Sequence, residues 1–208
     1  MKRILLALTI ILSCTNLYSQ CTPNPLYQDS TYSIWPDTVT NLPTAYQGIF
    51  YEAIFDIKTP GTLLEATGGD SSILYLDTMV MGIQVYEFVG GWPVDSMELV
   101  SVSGLPTGLA LGCDISNCVL PGDFLTCAYV NGTTNDNNGV YPITVFVNVY
   151  THGVIDLGFI QYPYSTDLYS ALGNYEEIGG YKIVVSDGTG IEIFNSQEFS
   201  LLQNIPNP

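Results

Sequence analysis

A chain of 208 residues with 20 acidic side chains against 4 basic ones and a single histidine is poorly suited to nucleic acid or an anionic membrane, because both are gripped by clustered Lys and Arg. Charged residues make up only 12% of it while Tyr, Val, Ile, Thr and Gly are plentiful, a composition that favours strands over helices. The first 20 residues stand apart: "MKR" is basic, "ILLALTIILSC" is an apolar run of 11 residues, and "TNLYSQ" is small and polar. That order predicts a secretory signal peptide, too short in its apolar part to span a bilayer, with cleavage after Ser19 or Gln20. Once it is removed, Lys58 and Lys182 are the only cations and the net charge is −18.

Cys14 follows Ile-Leu-Ser, which loosely resembles a lipoprotein box and gives an alternative, lipid-anchored form. Four cysteines remain after cleavage: Cys21, Cys113, Cys118 and Cys127. An even count in an exported chain predicts two disulfides, with three pairings open. Cys113 with Cys127 is favoured because they flank a loop between two predicted strands, which leaves Cys21 for Cys118.

Residues 21–47 read as an N-terminal extension. From Gly48 the chain alternates: "GIFYEAIFDIK" sets Tyr51, Ala53, Phe55 and Ile57 on one face and Glu52, Asp56 and Lys58 on the other. "SSILYLD", "MVMGIQVYEFVGG" and "SMELVSVSG" read as the next strands, and "GLALGC" and "LTCAYVNGT" as two more around a loop. In "VYPITVFVNVYT", Tyr141, Ile143, Val145, Val147 and Val149 form an unbroken apolar face. "HGVIDLGFI" and "GYKIVVSDGTGIEIF" close the series, the latter broken by a Gly-rich turn. Only "TDLYSALGNYEE" offers a turn or two of helix; capping signals are otherwise not evident. About eight to ten strands at this spacing predict an all-β fold, an antiparallel β-sandwich over residues 48–195, with closure into a barrel as the alternative.

The stretch from "GLPTGLALGC" to "VNGTTNDNNGVYPITVFVNVY" resembles the immunoglobulin-like domains of bacterial surface proteins. It carries their Leu-Pro-x-Gly-Leu turn, Gly-Thr turn, Gly-x-Tyr step and Thr-Val-rich strand over residues 104–150. Thr134 replaces the usual Pro, and residues 114–124 are an insertion. The resemblance implies an immunoglobulin-like sandwich in which Gly104 and Gly108 make turns, Pro106 fixes one and Tyr141 plugs an end. It implies no ligand.

The final residues, "FSLLQNIPNP", resemble the start of the C-terminal sorting domain of type IX secretion cargo. Leu202, Gln203, Asn204, Pro206, Asn207 and Pro208 carry the match. It implies that residues 196–208 are a linker and the truncated start of that domain, that the type IX machinery is a partner, and that the source is a member of the Bacteroidota. It also implies a modification: bacteria of that group attach O-glycans at Asp-Ser/Thr followed by an aliphatic, Met or Thr residue. Four such triplets place the sugars on Ser30, Thr38, Thr78 and Ser96, where average composition gives about one; the same dipeptides also serve ordinary turns. "NGT" at Asn131 reads as a turn.

Signals for chemistry are sparse. "GDSS" at Gly69 resembles the nucleophile block of one esterase family, but its Ser71 needs a late Asp-x-His, and His152 precedes Asp156. Glu176-Glu177 is weak ground for a glycosidase in so acidic a chain. "NDNNG" at Asn135 and "SDGTG" at Ser186 are oxygen-rich turns that make calcium a candidate, although no EF-hand spacing is present; no other cofactor and no metal site is predicted. Trp35 and Trp92 each precede Pro and serve either to stack on a ligand or to cap the core. The expectation is a secreted or cell-surface non-catalytic module for adhesion, matrix building or ligand binding, its ligand a surface glycan or a protein. A glycan-active extracellular enzyme is the alternative, and a carboxylate pair facing an aromatic cleft would favour it.

Overall fold

The computed structural model describes residues 21–187. The signal segment with Cys14 and the sorting residues Leu202, Gln203, Asn204, Pro206, Asn207 and Pro208 lie outside them. The described chain is built of twelve strands: β1 (Ser33–Trp35), β2 (Ala45–Tyr46), β3 (Phe50–Lys58), β4 (Tyr75–Val80), β5 (Ile83–Phe88), β6 (Val94–Ser103), β7 (Leu109–Cys113), β8 (Val119–Pro121), β9 (Leu125–Thr133), β10 (Gly139–Asp156), β11 (Gln161–Asp167) and β12 (Glu176–Ser186). Two short helices interrupt them, α1 (Leu63–Ala66) and α2 (Leu168–Leu172). The all-β expectation holds. The surplus over eight to ten strands comes largely from β1, β2 and β8, which are two or three residues long and too short to show a period.

One sheet has the order β1-β3-β9-β7; the other runs β2-β12-β10-β6-β8, with β11 also paired to β10. Every pairing is antiparallel except β2 with β12, which is parallel. The extension thus contributes a strand to each sheet. The core lies between the sheets: the alternation read in β3 buries Tyr51, Ala53, Phe55 and Ile57 against Met97 of β6, Ile143 and Val147 of β10, and Ile183 of β12. Burying each of the Ile, Val, Phe and Met side chains among them contributes about 1.5–3 kcal/mol. Lys58, placed on the polar face by alternation, is instead buried at 6% exposure; its ammonium donates to the Asp123 carboxylate at 2.6 Å and to the Asp123 carbonyl at 3.0 Å. A buried ammonium needs such partners.

The turn glycines behave as expected. Gly104 and Gly108 have φ of +82° and +88°, and a Cβ there would meet the Pro142 carbonyl oxygen at 1.9 Å and the Thr133 carbonyl oxygen at 2.2 Å. "VNGT" is different: Asn131, Gly132 and Thr133 lie inside β9, not in a turn. A Cβ at Gly132 would fall 2.1 Å from the Gly108 carbonyl oxygen, which accounts for a glycine within a strand.

The disulfides pair otherwise than expected: Cys21 joins Cys127, and Cys113 joins Cys118. Register gives the reason. Cys113 lies opposite Ala128, so Cys127, one residue away, points to the other face of the sheet. Cys113 faces the core, whereas Cys127 and Tyr129 face outward and are covered by Cys21. The insertion then crosses between sheets, since β8 pairs with β6 and Leu120 is fully buried.

Two further differences concern β4, β5, β10 and β11. The apolar run "MVMGIQVYEFVGG" is broken at Met81-Gly82, both at positive φ (+52° and +82°), as a two-residue hairpin turn requires. β10 continues through "HGVID" as an 18-residue strand. Its partner β11 escapes sequence reading because Pro163 sits in its centre; β11 pairs with β10 alone, and an edge tolerates proline. The β4–β5 hairpin rests on this extension through Val80, Val85 and Ile155, with Leu76, Trp92, Leu157 and Tyr164 around them.

Candidate functional site

Where the hairpin, α1 and α2 meet β10, the fold leaves a cleft of about 580 Å³. Each wall has a local cause. α1 begins at Thr62, whose hydroxyl accepts the Glu65 amide at 3.3 Å, and the Glu65 carboxylate accepts the Gly61 amide at 2.8 Å and the Tyr32 amide at 2.7 Å. This Thr-Leu-Leu-Glu start is a helix-capping pattern that corrects the expectation of no capping signal before residue 166. α2 begins at Asp167 and ends at Gly173 with φ +78°, a left-handed cap. It lies within the "TDLYSALGNYEE" segment, where a turn or two was expected. Val149 and Thr151 of β10 and the ring of Trp92 line the cleft between these helices. Trp92 has its place because Gly153 lacks a side chain: a Cβ there would fall 2.1 Å from the indole. The same ring leans on Tyr164 at 6.2 Å.

The cleft is predominantly apolar, with Leu63, Ala66, Leu74 and Leu168 in its lining, and four carboxylates reach it: Asp70, Asp77, Asp167 and Glu176. Three of them are occupied by local structure. Asp70 accepts the Ser72 hydroxyl at 2.6 Å and amide at 2.9 Å, and these bonds hold its carboxyl below the usual range. Burial pushes the Asp167 carboxyl up, but bonds from the Ser170 hydroxyl, the Asn148 amide group and the Ser170 backbone outweigh it, and the net shift is downward. Asp77 accepts a bond from Gln84. Asp70 and Asp167 are thus held toward the charged form, the reverse of what a general acid needs. Glu176 and Glu177 do not act as a pair, because neighbours in β12 point to opposite faces.

The remaining predicted residues fall elsewhere. His152 is exposed on β10 and its Nδ1 pairs with Asp95 at 2.6 Å; no hydrogen bond joins it to Ser71, and neither lines the cleft. In "NDNNG" three oxygens are used: Asp136 accepts the Thr107 amide at 2.7 Å and the Gln47 side chain at its carbonyl, and the Asn137 carbonyl accepts the Tyr141 hydroxyl at 2.8 Å. Among the described residues no group of three or more His, Cys, Asp or Glu is placed to hold a metal. "SDGTG" is described only to Asp187. Trp35 stacks on Tyr27 at 3.9 Å and pairs along β3, so it covers the sheet. Of the four hydroxyls in Asp-Ser/Thr triplets, Thr38 is exposed, while Ser30, Thr78 and Ser96 are half-buried.

Sequence reading passed over the hairpin face. β4 and β5 put Tyr75, Asp77 and Met79 opposite Phe88, Tyr86 and Gln84, and all six are exposed. The alternating apolar run was legible; which face is left uncovered depends on what packs below. No family model matches the chain, and neither a curated protein nor a solved structure matches it. Among the described residues no helix is long and apolar enough to cross a membrane.

Proposed function

We propose that this chain is a non-catalytic binding module, exported by type IX secretion to the cell surface or the medium, with an immunoglobulin-like sandwich as its scaffold and the cleft as its ligand site. The observation that carries it is the cleft itself: about 580 Å³ with an apolar lining and a tryptophan, the size and character of a small-ligand or oligomer site. The occupied carboxylates support binding rather than turnover. Two disulfides accord with an oxidising compartment, and the "LQNIPNP" ending supports the export route.

A thermal-shift screen of the purified chain against small polar ligands and oligosaccharides tests the site. A ligand present at about 100 times its Kd raises stability by about 2.7 kcal/mol, and Ala171→Trp, which fills the cleft from α2, abolishes the shift. Release of product from a bound oligosaccharide would overturn the non-catalytic reading. For export, intact mass and peptide mapping of protein from native cells and medium should show a mature start near Gln20, loss of two protons per disulfide and recovery outside the cell. A lipidated Cys14 or retention in the periplasm would sink the export route. Hexose-type mass at Ser30, Thr38, Thr78 or Ser96 would extend it.

A further inference from the structure

We infer that the exposed face of the β4–β5 hairpin is a stacking platform for a neutral glycan chain whose path continues into the cleft; this rests on the binding reading of that cleft. The hairpin has one packed face and one open one. Its packed face holds Val80 and Val85 at 4% and 8% exposure, whereas on the open face Tyr86 is 70%, Met79 59%, Tyr75 47% and Phe88 43% exposed. Large apolar groups concentrated on one exposed face mark a contact surface.

The geometry selects the occupant. The Tyr75 and Tyr86 rings are stacked, 10° from parallel with centroids 5.1 Å apart, so each covers one face of the other and the outer face of Tyr86, the more exposed ring, is left open. Phe88 is tilted by 54° to Tyr75 and sits over Gly90, where a Cβ would lie 2.3 Å from its ring; it braces the platform and does not extend it. A pyranose presents an apolar C–H face ringed by hydroxyls. The open face of the Tyr86 ring suits the C–H face, while the Asp77–Gln84 pair on the same face of the hairpin and the tyrosine hydroxyls suit the rim. Lys and Arg do not occur in the hairpin, and Asp70, Asp77 and Glu87 lie in or beside it, so a polyanion is repelled. A second copy of the chain is disfavoured on the same ground, each mature copy bearing −18. Tyr75 and Asp77 belong both to the open face and to the cleft lining, which makes one continuous track for an extended chain.

The test is titration calorimetry of the secreted chain with neutral gluco-, xylo-, manno- and chito-oligosaccharides, with alginate and heparin as anionic controls. Binding of a neutral oligosaccharide is expected, about tenfold weaker in Tyr86→Ala, with an unchanged melting temperature because that ring is exposed. Binding lost in Ala171→Trp but retained in full by Tyr86→Ala overturns the platform and leaves the cleft reading standing. A cleft ligand from the thermal-shift screen with no glycan binding does the same. Preference for alginate or heparin overturns the neutral-glycan assignment. Absence of both glycan binding and any cleft ligand overturns both readings. Self-association in sedimentation that Tyr86→Ala abolishes, without glycan binding, would give the face to a second copy.

Discussion

The two-sheet body and the β4–β5 annex are made from the same kind of sequence, short alternating strands of Val, Ile, Tyr and Thr, yet they end in opposite states. In the body a strand such as β3 meets another sheet on its apolar face and the N-terminal segment on part of its outer one. Ile183 and Leu120 there are fully buried. In the annex the buried centre is Val80, Val85 and Ile155, and the other face carries exposed aromatics. Alternation tells which residues share a face. Whether that face is covered depends on what the rest of the chain brings to it.

Breaking the body should have the largest effect. Replacing Cys21 and Cys127 by Ala opens a link between residues 106 apart and should cost about 2–5 kcal/mol in urea unfolding. A smaller loss would mean that the outer cover of β9 contributes little. Next comes a matched pair of cavities. Ile183→Ala should cost about 2–5 kcal/mol of global stability. Ile155→Ala, equally buried at 0%, should cost less globally and appear as faster amide exchange confined to β4 and β5. Equal global costs would erase the distinction between the regions.

The body also responds to alkali. Burial pushes the Tyr51 phenol up to about 12, and burial with the nearby Asp37 charge does the same for Tyr181. Their hydroxyls donate to the Pro43 and Pro36 carbonyls at 3.2 and 3.0 Å. Protons held more tightly when folded stabilise the fold fully below the unfolded value near 10 and progressively less as pH rises to about 12. Phe replacements at both sites should flatten that loss in chemical unfolding curves. The smallest effect is expected at the cleft rim. Asp167→Ala removes the α2 cap at about 1 kcal/mol. With its carboxyl held low, the wild-type advantage is present above pH 3.8 and vanishes as pH falls through the lowered value. An advantage unchanged in acid would show that the charge is immaterial.

Much of the body was legible because its physics is local. Tyr51 through Ile57 alternate, Gly104 and Gly108 announce turns, and the five apolar positions of β10 declare its inner face. What escaped depends on partners distant in sequence. β11 hides behind Pro163, which only its edge position permits. The cystine partners follow from a one-residue register difference between Cys113 and Cys127, which spacing alone does not reveal. The cleft escaped for a similar reason. Trp92 was visible as an aromatic before Pro, but its position over Gly153 joins residues about sixty apart, and the bonds from Ser72 and Ser170 that occupy Asp70 and Asp167 leave them looking the same in sequence as free acids.

The Cys21–Cys127 bond also sets how the molecule yields when it is pulled. Tension applied at Cys21 passes through the bond straight into β9, and the residues between the two cysteines are bypassed. A pull between Cys21 and Asp187 can then draw out only the stretch beyond Cys127, roughly 200 Å of chain, against roughly 560 Å once the bond is reduced. Under load that bond is a leash: it caps the extension and leaves β3, the hairpin and α1 outside the path of the force.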